Sequence, residues 1–119
     1  MNDLGKQGEQ LAKELLLEKG YVFLHQNWRS GHKEIDLIVE NETFLVFVEV
    51  KTRSNNRFGQ PEMSVNKNKQ KHLVKAAKSY CQKHRIRKEI RFDIIAITFL
   101  QPKRKIKHIE NAIFPEYYV

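Results

Sequence analysis

The chain has 119 residues, with 22 Lys or Arg against 14 Asp or Glu, a formal net charge of +8 and a pI near 9.7. A single cysteine, Cys81, excludes a disulfide framework or a cysteine-rich zinc site within one chain, and no apolar run approaches the ~18 residues a spanning helix needs. The length suits one domain, residues 1–119, and the charge makes nucleic acid the first candidate partner, ahead of an anionic membrane surface. The start, "MNDLGKQGEQ", lacks the basic flank and apolar run of a signal peptide, so a cytoplasmic protein is expected.

Asp3 as N-cap and Gly20 as stop bracket the first predicted helix. Leu4, Gly8, Leu11, Ala12, Leu15 and Leu16 recur at helical spacing and form its apolar stripe. Glu9 sits on the shoulder of that stripe, while Glu14 and Glu18 point to solvent. "YVFLHQ", 21–26, predicts a short strand, and "NWRSGHK" a turn broken at Gly31. "EIDLIVE", 34–40, alternates, with Ile35, Leu37 and Val39 on one face and Glu34, Asp36, Ile38 and Glu40 on the other. "NE" at 41 and 42 is a tight-turn signal, and "FLVFVEVKTR", 44–53, follows at once, which predicts an antiparallel hairpin. "SNNRFGQPE", 54–62, reads as a loop. From Ser64 or Asn66 to His84 the period returns to 3.6. Leu73, Ala77, Tyr80, Cys81 and His84 mark one face of this second helix, with Gln70 and Val74 beside it. "IRFDIIAITF", 90–99, is an apolar strand, and "KIKHIENAIF" supplies a last, edge strand. The order α-β-β-β-α-β-β predicts an α/β fold, a central mixed sheet flanked by helices.

Side chains two apart on a strand share a face. Phe44, Val46, Val48 and Val50 therefore line one face of the third strand, and Leu45, Phe47, Glu49 and Lys51 the other. If the hairpin pairs as predicted, Asp36 lies beside Glu49 and Lys51. Glu9, on a helix expected to pack on that same face, would complete the group. Carboxylates crowded in a partly dry site repel, and their pKa values rise unless a cation joins them. Mg²⁺ or Mn²⁺ held by Asp36, Glu49 and Glu9 is such a cation, able to stabilise charge developing on a phosphoryl group. Lys51 beside it would position or deprotonate an attacking water, or neutralise the pentacovalent centre. Alone, Glu-x-Lys at a strand end is ordinarily a salt bridge. The combination is informative because each polar residue interrupts an otherwise buried pattern.

"EID" followed some thirteen residues later by "EVK" resembles the metal-dependent PD-(D/E)xK nuclease superfamily, with its restriction-endonuclease-like core. More narrowly, "GKQGEQLA", "NWRS", "EIDLIVE", "FVEVKTRS", "FG" at 58 and 59 and the lysine-rich helix resemble the uncharacterised bacterial YraN-like family, over nearly the whole chain. The resemblance implies an α/β nuclease core in which Asp36, Glu49 and Lys51 match the superfamily motif. Glu9 matches the helical acid of its junction-resolving branch. Lys33 departs from the pattern, since relatives often carry Gly there. The implied activity is Mg²⁺-dependent hydrolysis of DNA, with branched or flapped substrates in view. Many related nucleases act as dimers, so a homodimer is also expected. Two other classes stay open: a non-catalytic DNA- or RNA-binding module whose acids are structural, and a ligand for a protein partner in DNA processing.

Other residues fit a nucleic-acid site. Arg29 and Arg53 flank the acids and suit phosphate contacts. Gln70 suits a hydrogen bond to water or phosphate, and Glu34 is either a further acid or an exposed strand-end residue. Lys67, Lys69, Lys71, Lys75 and Lys78, with Lys83, Arg85, Arg87 and Lys88 beyond them, predict a phosphate-tracking face. Trp28, Phe58, Tyr117 and Tyr118 suit either base stacking or, more often, core and loop anchoring. His25, His32, His72, His84 and His108 show no zinc-ligand spacing. Asp93, which interrupts the fourth strand, is expected to pair with an Arg or Lys.

Overall fold

Five strands form one sheet in the order β1-β2-β3-β4-β5 in the computed structural model, which describes residues 3–31, 33–54, 66–100 and 102–113. In chain order the elements are α1 (Asp3–Glu18), β1 (Val22–Ser30), β2 (Lys33–Glu40), β3 (Phe44–Arg53), α2 (Lys67–His84), β4 (Glu89–Phe99) and β5 (Arg104–Ile113). Neighbouring strands pair antiparallel except β3 and β4, which run parallel. A parallel pair needs a long crossover, and α2 is its helical part. The order α-β-β-β-α-β-β and the mixed, helix-flanked sheet are those predicted. No helix of the described residues is long and apolar enough to cross a membrane.

Local chemistry sets the element ends. The Asn41 side chain accepts from the backbone N–H of Thr43 at 2.9 Å and of Phe44 at 2.7 Å, closing the turn that makes β2 and β3 a hairpin. Asn66 caps α2 by accepting from the Lys69 N–H at 2.9 Å. Arg85 ends it in the left-handed region, φ 52°, with its N–H turned back to the Cys81 and Gln82 carbonyls.

Each sheet face carries its own core. Ala12 and Leu16 of α1 pack on Leu37, Val39, Val46, Val48, Ile95 and Ile97. Leu73, Val74, Ala76, Ala77 and Tyr80 of α2 pack on Ile38, Leu45, Phe47, Phe92 and Ile94. Burying one such side chain contributes about 1.5–3 kcal/mol, against about 0–1 kcal/mol for an exposed ion pair. Core packing therefore fixes where the polar residues stand. Gly8 brings α1 hard against the end of β3, since a Cβ there would run into Thr52 Cγ2.

Four expectations need correction. First, α1 covers the Val46 and Val48 face, not the face that carries Glu49 and Lys51. That face of β3 is apolar from Phe44 to Val50, and it took the helix with the cleanest apolar stripe; α2 covers the other. Second, β1 does not end at Gln26. Asn27–Ser30 continue the strand because Trp28, Arg29 and Ser30 pair with Ile35, Glu34 and Lys33. Third, Ile35 does not share a face with Leu37 and Val39. It joins the α2-side core, so strict alternation breaks around Asp36. Asn27, between the Gln26–Leu37 and Trp28–Ile35 pairs, has φ 53° at this irregularity. Fourth, His84 is exposed, stacked on the Tyr80 ring at 4.1 Å, and Ala76 takes its place in the buried stripe.

Candidate functional site

The β2–β3 ladder runs from Glu40–Leu45 to Leu37–Val48 and stops there. Where the strands part, Asp36 bridges them: its Oδ2 accepts from the Val50 N–H at 2.8 Å. Asp36 is half-buried and is also in hydrogen-bonding contact with the Glu49 side chain. Glu49 is 4% exposed. Burial, then the Glu49 charge, pushes the Asp36 carboxyl up to about 8, with Glu9 adding a smaller push and the Val50 N–H pulling back. At neutral pH Asp36 therefore keeps its proton beside Glu49.

Two lysines face this pair. Lys69, from the first turn of α2, sets its Nζ 3.0 Å from Glu49 Oε1. It is also hydrogen-bonded to Lys51. Burial depresses the Lys51 pKa, and the Lys69 charge depresses it further. Burial pulls Lys69 down too, but Glu49 more than restores it, so Lys69 ends above its ordinary value. Lys69 is thereby held in its charged form, and Lys51 gives up its proton more readily than an ordinary lysine. Beside them opens a cleft of about 430 Å³, lined by Lys33, Glu34, Asp36, Glu49, Lys69, His72 and Leu73.

The hairpin thus brings Asp36, Glu49 and Lys51 together. Glu9 stands on α1, beyond the opposite face, where its Oε1 accepts from Gln26 Nε2 at 3.4 Å; its charge still reaches Asp36. Among the described residues no three His, Cys, Asp or Glu side chains gather into a group that would hold a metal. Arg29 is exposed, and its Nε donates to Glu34 Oε2 at 2.9 Å. Arg53 and Gln70 are half-buried, and both are engaged by other groups. Lys67, Lys71, Lys75 and Lys78 are exposed and form one stripe, spanning about 16 Å at 1.5 Å per residue. Lys83, Arg85, Arg87 and Lys88, expected on the same phosphate-tracking face, lie instead at the other pole, off this stripe, where Lys88 Nζ reaches Glu40 Oε1 at 2.7 Å. Trp28 meets Tyr80 edge-on at 5.2 Å, as an anchor would. His32, Phe58, Gly59, Tyr117 and Tyr118 lie outside the described residues.

Sequence reasoning counted Lys69 among the phosphate-tracking lysines and missed its place against Glu49. The signal was present: Lys69 precedes Leu73 by four residues and Tyr80 by eleven, on the buried stripe. His72, set aside as a zinc ligand, lines the cleft.

A second ionic cluster lies on the α1 face of the sheet. Fully buried Asp93 accepts two bonds from Arg91 at 2.9 Å, with further contacts to His108 Nε2 at 2.8 Å and the Asn111 N–H at 3.0 Å. Arg91 also donates to the Tyr21 hydroxyl. Lys19 Nζ lies 2.7 Å from His108 Nδ1, which fits the tautomer that carries its proton on Nε2 and donates it to Asp93. Burial raises the Asp93 carboxyl, but His108, Arg91 and the Asn111 N–H outweigh it and hold it below the ordinary range. Asp93 is thus paired with an arginine, as expected.

Comparison with known proteins covers almost the whole chain. The model of the uncharacterised protein family UPF0102 matches residues 8–97. A UPF0102 protein of Bacteroides thetaiotaomicron is 44% identical over 117 residues, 98% of this chain and 97% of its own. One from Flavobacterium psychrophilum is 47% identical over 113 residues, 95% of each chain. One from Thermodesulfovibrio yellowstonii is 46% identical over 112 residues, 94% of this chain and 96% of its own. With the family model spanning the hairpin, α2 and most of β4, and with relatives matched nearly end to end, the chain belongs to the uncharacterised family UPF0102.

Proposed function

We propose that this protein is a metal-dependent endonuclease that hydrolyses phosphodiester bonds in DNA, with branched or flapped structures as its substrates. The observation that carries the reading is the meeting of Asp36, Glu49 and Lys51 where β2 and β3 part. A fold puts two carboxyls in contact, one of them protonated at neutral pH, at a cost in desolvation. A role for the pair is the simplest reason to bear it.

The donor set fits a hard divalent cation. Two carboxylates beside an open cleft match the way Mg²⁺ is held, by one or two carboxylates with water and substrate phosphate filling the rest. Asp36 and Glu49 would hold Mg²⁺ or Mn²⁺, and Glu9 would act at longer range, through water. When bound, the ion supplies charge stabilisation for the phosphoryl group and lowers the pKa of a coordinated water. The Val50 N–H holds one Asp36 oxygen, and the Asp36 side chain lines the cleft. Lys69 fixes Glu49 and, by its own charge, favours the neutral form of Lys51. A neutral Lys51 amine accepts the proton of the attacking water. The exposed stripe of Lys67, Lys71, Lys75 and Lys78, with Arg29, Arg53 and Gln70 nearer the acids, grips the phosphate backbone.

The test is a cleavage assay on branched, flapped, single-stranded and duplex DNA with Mg²⁺ or Mn²⁺. Wild type is expected to cut at least one of them. Lys51→Met should lower the rate by about 10²–10⁴-fold, the usual worth of a proton-transfer group, and Asp36→Ala should abolish cutting. Both variants should still bind DNA in EDTA. If wild type and Asp36→Ala behave alike on every substrate, the nuclease reading fails and the acids belong to a binding module.

A further inference from the structure

The strand register reveals a second set of cations at the level of the site. On β3, Glu49, Lys51 and Arg53 pair with Ile94, Ala96 and Thr98 of β4. Those three pair in turn with Ile109, Lys107 and Lys105 of β5. Residues directly opposite in a ladder share a face, and Ile94 and Ile109 both pack into the α2-side core. Lys107 and Lys105 therefore project from the same face as Lys51 and Arg53. They stand two strands away, about 10 Å at the usual strand spacing.

Lysines on an edge strand have an ordinary use, to block pairing with another sheet. That use does not account for these. The opposite edge, β1, is not guarded in this way: its Arg29 is tied to Glu34, and Val22 is left 57% exposed. On β5 itself the cations Arg104, Lys105 and Lys107 gather at the site end. The acid of the strand, Glu110, lies toward the other end and faces Arg91. Among the described residues no ion pair uses Arg104 or Lys105.

We propose that Lys105 and Lys107 form a second phosphate-binding rail, which meets the strand of a duplex opposite the one held by the α2 lysines. The proposal rests on reading the Asp36, Glu49 and Lys51 cluster as a nucleic-acid site. α2 lies closest to β1 and β2, its core side chains reach β3 and β4, and its lysine stripe is on the solvent side. From β2 to β5 is three strand spacings, about 14 Å. A single strand follows one cationic track. Two tracks on either side of the acids, with at least three strand spacings between them across the sheet, suit the two backbones of a double helix better than one. The substrate class is thus duplex, or the duplex arm of a branched molecule.

The test is binding of the full chain, without divalent cation, to a blunt DNA duplex and to a single strand of the same sequence across a salt series. Lys105→Gln/Lys107→Gln should make the duplex salt slope shallower by about 0.9 per lysine and weaken duplex binding roughly tenfold or more at low salt. Single-strand binding should be unchanged. Lys105→Gln alone, at an exposed position outside every ion pair of the described residues, should give about half the slope change and covers the case in which the double variant is unstable. Lys83→Gln/Arg87→Gln removes the same charge at the far pole and should leave the slope as it is. An unchanged duplex slope in both β5 variants overturns the proposal. So does an equal loss on the single strand, or an equal effect of the far-pole pair. Since nothing is cut in this assay, a protein that shows the rail yet never cleaves keeps this inference and loses only the nuclease reading.

Discussion

At the scale of single residues, the informative group is Asp36. An aspartate in the unfolded chain ionises near 3.8, and in the fold Asp36 holds its proton up to about 8. Between those values the native state binds a proton that the unfolded state does not. Stability therefore falls as pH rises through that window, the reverse of an aspartate in a salt bridge. In EDTA, the thermal midpoint of the wild type should drop between pH 5 and pH 8. Asp36→Asn should remove most of that drop, because it keeps the shape and never ionises. Added Mg²⁺ should raise the wild-type midpoint at pH 8 and leave the variant unmoved. Parallel pH profiles for the two proteins would show that Asp36 does not hold its proton. Asp36, Glu49 and Lys51 were legible in the sequence because each breaks a run of apolar strand residues. Lys69 was harder to pick out: in a helix with six lysines among 18 residues, only its place on the buried stripe marks it.

At the scale of elements, β3 does the positioning. One face anchors α1, and the other holds the core under α2 and then, past Phe47, the polar site. Gly8 is where this arrangement is tightest, because α1 touches the end of β3 just beyond Lys51. Gly8→Ala adds helix propensity worth about 1 kcal/mol. It also drives a methyl into Thr52 Cγ2, attached to a β-branched side chain on a paired strand with little room to turn. Overpacking of this kind costs about 1–3 kcal/mol, so urea denaturation should find the variant less stable. Gly8→Ala/Thr52→Ser, which deletes the obstructing methyl, should recover most of the loss; a single variant as stable as wild type would mean α1 sits farther out. The order of elements and the β2–β3 hairpin could be read from periodicity and turn residues. The face each helix covers could not, since alternation says only that two faces exist. The polar run Asn27–Ser30 had the composition of a turn, and pairing with β2 overrode it.

At the scale of the whole molecule, two ionic clusters occupy opposite faces of one sheet and differ in how completely they are paired. On the α2 face, a protonated Asp36 sits against Glu49 beside a depressed lysine, an arrangement that a ligand can improve. On the α1 face, Asp93 has every bond it needs, and a fully satisfied network of this kind rigidifies a core. It joins the end of α1 through Lys19, the entry to β1 through Tyr21, β4 through Arg91 and β5 through His108 and Asn111. β5 in turn carries the lysines of the proposed rail, so the α1-face network fixes the edge that the α2-face site would use. Removing the Asp93 charge leaves the Arg91 guanidinium, 10% exposed, without its counter-ion. Breaking a buried pair in this way costs about 3–5 kcal/mol, and Asp93→Asn should lose that much in urea denaturation at pH 7. The sign of the pH dependence is opposite to that of Asp36. The folded Asp93 pKa lies below the unfolded value of 3.8, so its contribution is present above that value and fades as pH falls through the folded one. The gap between wild type and Asp93→Asn should therefore be widest at neutral pH and narrow at acid pH. A gap that stays constant down to acid pH would mean that Asp93 contributes by shape and hydrogen bonding, and that its charge is not what ties the two halves of the sheet together.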